Sequence, residues 1–185
     1  MDASEFPQAT LALHVPDEGA LAQLATQVAP RLQGSEFVAI SGPLGAGKTS
    51  FVRALLRALG HVGTVRSPTF TLVEPYSFAR MEVLHLDLYR LKTGAQELEM
   101  LGVREQFGTA VILIEWPENG APWLPTADLE MRFDYAEHGR SLHATASTAA
   151  GEVLLAALGA ASGVVSASSA ASSISVIVSN AVMNS

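Results

Sequence analysis

Apolar and polar residues follow one another in patterns that predict a domain of mixed helices and strands. Apolar side chains at helical spacing after Asp17 predict a helix that ends near Leu32, with Asp17 as its N-cap. Short apolar runs predict buried strands over residues 11–15, 37–40 and 110–115. The first half of the chain therefore alternates strand and helix.

The second half is expected to consist mostly of strands. Two strands are predicted over residues 69–76 and 81–88, and a short broken helix over residues 95–106. Apolar residues alternate with polar ones over residues 128–135, and residues 140–146 are expected to pair with them as a hairpin. This order predicts a three-layer α/β domain with a mixed, mostly parallel sheet.

The composition changes near residue 146. Glu152 is the only charged residue of the last 45, and that stretch is dominated by Ala, Ser and Val. We therefore expect one domain over residues 1–146 and a low-complexity tail over residues 147–185.

Two segments of that tail have residue patterns typical of secondary structure. Leu154, Leu155 and Leu158 would lie on one side of a short helix. Residues 173–178 are β-prone, and they either stay loosely ordered or add a strand to a sheet edge of the same or a neighbouring chain.

Charge and cysteine content exclude several classes of function. The chain has 185 residues, a formal net charge of −7 and no cysteine. Such an acidic chain is not expected to bind DNA or RNA tightly by itself, and it offers neither disulfides nor thiolate metal sites.

The longest apolar stretch, residues 153–165, is shorter than the ~20 residues that cross a bilayer, and the N-terminus lacks a signal-peptide pattern. We expect a cytoplasmic protein without a membrane segment.

A glycine-rich motif separates the strand that ends at Ile40 from a second predicted helix. The apolar stripe of that helix runs from Phe51 to Leu59, and Gly60 is expected to end it. Residues 42–49 match the pattern Gly-x-x-x-x-Gly-Lys-[Ser/Thr] in full, in the strand-to-helix context that a phosphate-binding loop requires. The alternative, a glycine-rich turn with an exposed lysine, does not explain that context.

Each part of the motif has an expected role in binding a nucleoside triphosphate. Backbone N–H groups and the helix N-terminus bind phosphate, Lys48 reaches the β- and γ-phosphates, and the Thr49 hydroxyl binds Mg²⁺. Thr69, ahead of a strand, either senses the γ-phosphate or is an ordinary hydroxyl at a strand start. The predicted nucleotide-binding residues are Gly42, Pro43, Leu44, Gly45, Ala46, Gly47, Lys48, Thr49, Ser50 and Thr69.

Two acidic residues are expected beside this loop. Asp87 and Glu115 lie at or near the ends of two predicted strands, so they can meet at the sheet edge where ligands of α/β proteins bind. Mg²⁺ takes one or two carboxylates plus phosphate oxygens, and hydrolysis also needs a group that orients water. The residues alone allow either acid to take either role, or each acid simply to end its strand. The predicted catalytic residues are Lys48, Asp87 and Glu115, and the predicted metal ligands are Thr49, Asp87 and Glu115.

Five strings in unbroken order resemble the TsaE (YjeE) family, the ATPases of bacterial tRNA threonylcarbamoyladenosine (t6A) synthesis. Residues 67–76 (Ser-Pro-Thr-Phe-Thr-Leu-Val-Glu-Pro-Tyr) and 85–91 (His-Leu-Asp-Leu-Tyr-Arg-Leu) are the most distinctive. The others are residues 45–49, 97–102 and 114–118. The likeness covers about residues 10 to 140.

This resemblance implies a P-loop NTPase-like fold, the cofactors ATP and Mg²⁺, and two protein partners. The partners are the threonylcarbamoyl-transferase subunit TsaD and its paralogue TsaB, so tRNA would be met only indirectly. The resemblance assigns Glu115 mainly to Mg²⁺, and Asp87 to positioning water or to an indirect contact with the metal through one of its ligands. The chain departs from the family at Pro43, where an acidic residue is usual, and Pro43 also removes an N–H from the loop.

Three other classes of protein could contain the same motif. A small-molecule kinase would need an arginine-bearing lid, and no arginine-dense segment is present. A GTPase would need Asn-Lys-x-Asp, which is absent, and a nucleotide sensor would not need both acids.

Trp116 forms either an aromatic wall of the site, a partner platform or part of the core. His61, His85 and His138 lack metal-ligand spacing and are interpreted as structural or solvated.

Overall fold

The computed structural model describes residues 9–91 and 95–168, and their strands form a single seven-stranded sheet in the order β1-β7-β6-β2-β5-β4-β3. Five strands run in one direction, while β3 and β7 run in the other. The predicted mixed, mostly parallel sheet is confirmed. The strands are β1 (Ala9–Val15), β2 (Phe37–Ser41), β3 (Val73–Ser77), β4 (Glu82–Asp87), β5 (Val111–Glu115), β6 (Leu129–Tyr135) and β7 (Arg140–Ala146).

Helices cover both faces of this sheet, which makes three layers. One face carries α1, α2 and α4, whose apolar sides share one large buried core with the sheet. The other face has a thinner cover, to which Leu98 of α3 and Val103 contribute. The helices are α1 (Glu18–Val28), α2 (Lys48–Ala58), α3 (Ala95–Met100) and α4 (Ala149–Ser168).

Helix α1 begins as predicted but ends earlier. The Asp17 carboxylate accepts a 2.8 Å hydrogen bond from the Ala20 N–H, as an N-cap should. The α-helix ends at Val28 and continues as a 3₁₀ turn over Ala29–Arg31. Pro30 lacks an N–H and cannot continue the α-helical hydrogen bonds, so the predicted end near Leu32 was too late.

Strand β3 also differs from the prediction, because it begins at Val73 and not at residue 69. The preceding residues form a turn in which the Leu72 N–H donates to the Pro68 carbonyl at 2.6 Å. Leu72 has a φ of 62°, which no strand accommodates. The turn keeps residues 67–70 outside the sheet and beside the end of β4.

Helix α4 corrects the predicted domain boundary at residue 146. Leu154, Leu155 and Leu158 lie on the expected helix, but they are buried in the same core as α1 and the sheet. Gly151 permits this packing, because a Cβ there would lie 1.8 Å from the Asp128 carbonyl oxygen. The compact unit therefore extends at least to Ala161.

The β-prone segment 173–178 lies outside the described residues. Within residues 9–91 and 95–168, no helix is both long and apolar enough to cross a membrane.

Candidate functional site

The loop between β2 and α2 has a backbone that its glycines make possible. Gly42, Gly45 and Gly47 have φ values of 129°, 81° and 105°, all in the region that favours glycine. At Gly42 a Cβ would lie 2.1 Å from the Phe133 carbonyl oxygen of β6. This contact is with backbone, so the loop conformation cannot accommodate a side chain at that position.

Helix α2 starts at Lys48, directly after the glycines of the loop. Its N-cap, Gly47, offers no side-chain hydrogen bond to them. The unsatisfied N–H groups of a helix N-terminus, together with the helix dipole, form a binding site for an anion such as phosphate.

The Lys48 side chain is folded over the loop and is buried. Its ammonium donates to the carbonyl oxygens of Gly42 and Pro43, at 2.7 Å and 2.9 Å, and lies 3.9 Å from the centroid of the Trp116 ring. Burial lowers the pKa of Lys48, and the nearby carboxylates, Glu115 first among them, oppose this shift. Trp116 thus lies against the loop lysine, as an aromatic wall of the site would, and its partly buried side chain also packs against the core on one face of the sheet.

Glu115 connects the loop to a buried histidine. One of its carboxylate oxygens accepts a 2.8 Å hydrogen bond from the Thr49 hydroxyl, and the other lies 2.8 Å from His85 Nε2. Both Glu115 and His85 are buried. His85 therefore orients the carboxylate, a role that the absence of metal-ligand spacing did not suggest.

Asp87 lies beside Glu115 and connects to the loop that precedes β3. The two acids are paired in register on the adjacent parallel strands β4 and β5, as expected. One Asp87 oxygen accepts a 2.9 Å hydrogen bond from the Thr69 hydroxyl and a short one from Ser67, while the other accepts from the Tyr89 N–H at 2.9 Å. Ser67 and Tyr89 had no predicted role in the site.

These groups surround a cleft of about 380 Å³. Gly42 and Pro43 lie at the start of the loop, and Ala46, within the loop, is buried. A larger apolar cavity of about 510 Å³ around Trp123 contains none of the predicted site residues, so we place the candidate site in the smaller cleft. The cleft is lined by Leu44, Gly45, Gly47, Lys48, Thr49, Ser50, Ser67, Thr69, Asp87, Tyr89, Arg90, Glu115 and Trp116.

The acids of the cleft are too few for a metal site made of protein alone. Across the described part of the chain, no three His, Cys, Asp or Glu side chains are grouped so that they could hold a metal ion. Oxygen atoms of Thr49 and Glu115 lie 2.8 Å apart at the loop. That set suits Mg²⁺, which binds through one or two carboxylates and completes its ligands with phosphate and water.

A phosphate-binding loop between a buried parallel strand and a helix, in an α/β sheet with two acids at its edge, defines a P-loop NTPase-like fold. The family model described as "Threonylcarbamoyl adenosine biosynthesis protein TsaE" matches residues 15–142. The chain belongs to the TsaE family.

Individual relatives agree with this assignment. The chain is 38% identical over 154 residues to the tRNA threonylcarbamoyladenosine biosynthesis protein TsaE of Haemophilus influenzae, covering 80% of this chain and 97% of the relative. It is 42% identical over 115 residues to the Synechocystis protein of the same name, covering 60% and 73%. The crystal structure of Bacillus subtilis YdiB superposes with a TM-score of 0.67 at 25% identity, covering 83% of this chain and 95% of YdiB.

Proposed function

We propose that this protein is a Mg²⁺-dependent ATPase that supports the t6A modification of tRNA. Membership of the TsaE family supports the role in t6A biosynthesis. The observation that most supports hydrolysis is the Thr49–Glu115 pair at the mouth of the phosphate loop, since a loop hydroxyl and a carboxylate are the Mg²⁺ ligands of P-loop NTPases. Bound Mg²⁺ would neutralise phosphate charge.

Different residues of the chain bind the nucleotide and assist its hydrolysis. The loop N–H groups and Lys48 bind and orient the phosphates, and Lys48 exchanges its present carbonyl partners for phosphate oxygens. His85 holds the Glu115 carboxylate in the orientation that metal binding needs. Asp87 orients the attacking water, and Thr69, which is hydrogen-bonded to Asp87, links the state of the site to the loop before β3.

The family resemblance also implies the cellular context of the proposed activity. The partners are TsaD and TsaB, the protein acts in the cytoplasm, and tRNA is met through the assembly. The net charge of −7 supports an indirect contact with tRNA, because tight binding to phosphates needs a basic surface.

Hydrolysis assays with the purified chain test this proposal. Phosphate release from ATP is measured with Mg²⁺ or with EDTA, with and without TsaD and TsaB, and with GTP in place of ATP. We expect Mg²⁺-dependent release of phosphate from ATP that rises when both partners are present. Binding of ATP without hydrolysis under all of these conditions would favour a nucleotide sensor.

A further inference from the structure

We propose that Arg90 is a further catalytic residue of this cleft: an arginine from the chain itself that contacts the terminal phosphoryl group of bound ATP. Arg90 follows β4 and lies three residues after Asp87. It lines the same cleft as Lys48 and Thr49, and no other arginine in the described part of the chain does so. This inference rests on the proposed ATPase function.

The Arg90 guanidinium is available for a ligand. Arg90 is exposed, and within the described ranges it forms neither an ion pair nor a hydrogen bond. Arg140 behind the loop is different, because it forms an ion pair with Glu18 at 2.9 Å. Arg53 is also engaged, since it donates to the Val65 carbonyl at 3.2 Å.

The neighbour that the structure gives Arg90 is an aromatic ring. The guanidinium carbon lies 4.3 Å from the centroid of Phe70, a cation–π distance. Phe70 is 84% exposed, which is unusual for a phenylalanine, and it follows Thr69, whose hydroxyl binds Asp87. The ring therefore holds the guanidinium at the cleft wall, and Phe70 acts as a positioning residue.

The charges of the cleft favour a second cation. Asp87 and Glu115 are both buried at the edge where the phosphates would lie, and Lys48 is the only other cationic side chain among the cleft-lining residues that the structure describes. A planar guanidinium can donate to two phosphate oxygens at once, whereas an ammonium acts as a point charge. Arg90 can thus offset the charge that accumulates on the transferred group.

The chemistry assigned to Arg90 is electrostatic. In hydrolysis a water oxygen forms a bond to the terminal phosphorus while the bond from that phosphorus to the bridging oxygen breaks. The leaving ADP keeps the electron pair of the broken bond, and the proton of the water passes to the phosphate product or to solvent. Arg90 remains protonated throughout and stabilises the equatorial oxygens in the transition state.

Variants of Arg90 test this assignment in the full chain with its partner proteins. Arg90→Ala is expected to lower kcat for ATP by about 10³-fold, the lower limit for an arginine finger. It should weaken ATP binding while leaving ADP binding unchanged, because ADP lacks the terminal phosphoryl group. Arg90→Lys should retain only part of the parental kcat, and Phe70→Leu should lower the parental kcat by about two- to fivefold.

A matched control uses Arg80, an exposed arginine in the turn at the far end of the β3–β4 hairpin. Arg80→Ala makes the same change in charge and should behave as the parent protein. A purely structural role of Arg90 would instead weaken ATP and ADP binding equally, and that result would overturn the assignment, as would an Arg90→Ala variant with the parental rate.

Failure of this inference is distinguishable from failure of the proposed function by the Lys48→Ala variant. Suppose that the parent protein hydrolyses ATP, that the Lys48→Ala variant does not, and that the Arg90→Ala variant still does. Only the assignment of Arg90 is then wrong. If the parent neither binds nor hydrolyses ATP, both are wrong. If the parent binds ATP without hydrolysis, loss of its preference for ATP over ADP in Arg90→Ala still supports the contact, and an unchanged preference overturns it.

Discussion

The Thr49 hydroxyl donates a 2.8 Å hydrogen bond to the Glu115 carboxylate and so joins the phosphate loop to the end of β5. Both groups are oxygen ligands that Mg²⁺ accepts, and in this structure each satisfies the other. Metal binding would replace this hydrogen bond with two coordination bonds. The fold thus brings the two candidate metal ligands together, and the parts of the site can be tested one at a time.

Lys48→Ala is expected to weaken ATP binding by about 10- to 100-fold, since it removes a charge-assisted contact of ~1.5–3 kcal/mol. Calorimetry measures the affinity and circular dichroism the fold. Arg57→Ala, an exposed site on the same helix, makes the same change in charge and should leave the affinity unchanged. A folded Lys48→Ala protein that binds ATP with the parental affinity would contradict the role of the loop in ATP binding.

Asp87→Asn and Glu115→Gln should retain much of the ATP affinity but lose most of the hydrolysis. Each variant keeps the size of its side chain and removes the charge that acts on metal or water. Single-turnover assays with saturating ATP separate the rate from the affinity. If both variants hydrolyse ATP at the parental rate, the two acids serve only to end their strands.

His85→Ala should lower hydrolysis by about 10- to 100-fold at saturating ATP, the usual effect of losing a group that orients a metal ligand. The expected cause is a misplaced Glu115, so raising the Mg²⁺ concentration should restore part of the activity. His14→Ala, on strand β1 away from the cleft, is the control. A rate insensitive to Mg²⁺ in His85→Ala would indicate a structural role.

Helix α4 should be required for stability. Leu158→Ala removes a fully buried side chain and is expected to lower the free energy of unfolding by about 2–5 kcal/mol. Val153→Ala, at a half-exposed position of the same helix, should cost far less. Urea titration measures both. Equally small losses of stability in the two variants would instead indicate that the domain ends near residue 146.

Most of the sheet was predictable because its strands are either short apolar runs, such as β2 and β5, or stretches in which apolar and polar residues alternate, such as β6. The position of Asp87 and Glu115 at one edge of the sheet followed from the same pattern, since both acids lie at or near strand ends, whereas their pairing in register is seen only in the structure. Residues 69–72 were not predictable as a turn, because their β-prone composition is overridden by the hydrogen bonds of Thr69 to Asp87 and Leu72 to Pro68.

Two other features depend on contacts between distant residues. His85 reaches Glu115 across 30 positions of the chain, and only the register of β4 and β5 brings them together. Helix α4 carries a single charged residue, Glu152, so its composition resembled a low-complexity tail. Its fit depends on Gly151 against Asp128, which no local pattern reveals. Sequence patterns therefore located the loop and its acids but not the groups that position them.

Steady-state phosphate release is the most direct test of the proposal that this chain is an ATPase dependent on its assembly. It is measured for the chain alone, with tRNA, and with TsaD and TsaB. The account predicts a rate on the order of 10⁻² s⁻¹ or below for the isolated chain, as in P-loop NTPases whose arginine belongs to the same chain, and a higher rate only when the protein partners are present. Full activity in isolation, or stimulation by tRNA without any protein partner, would contradict it.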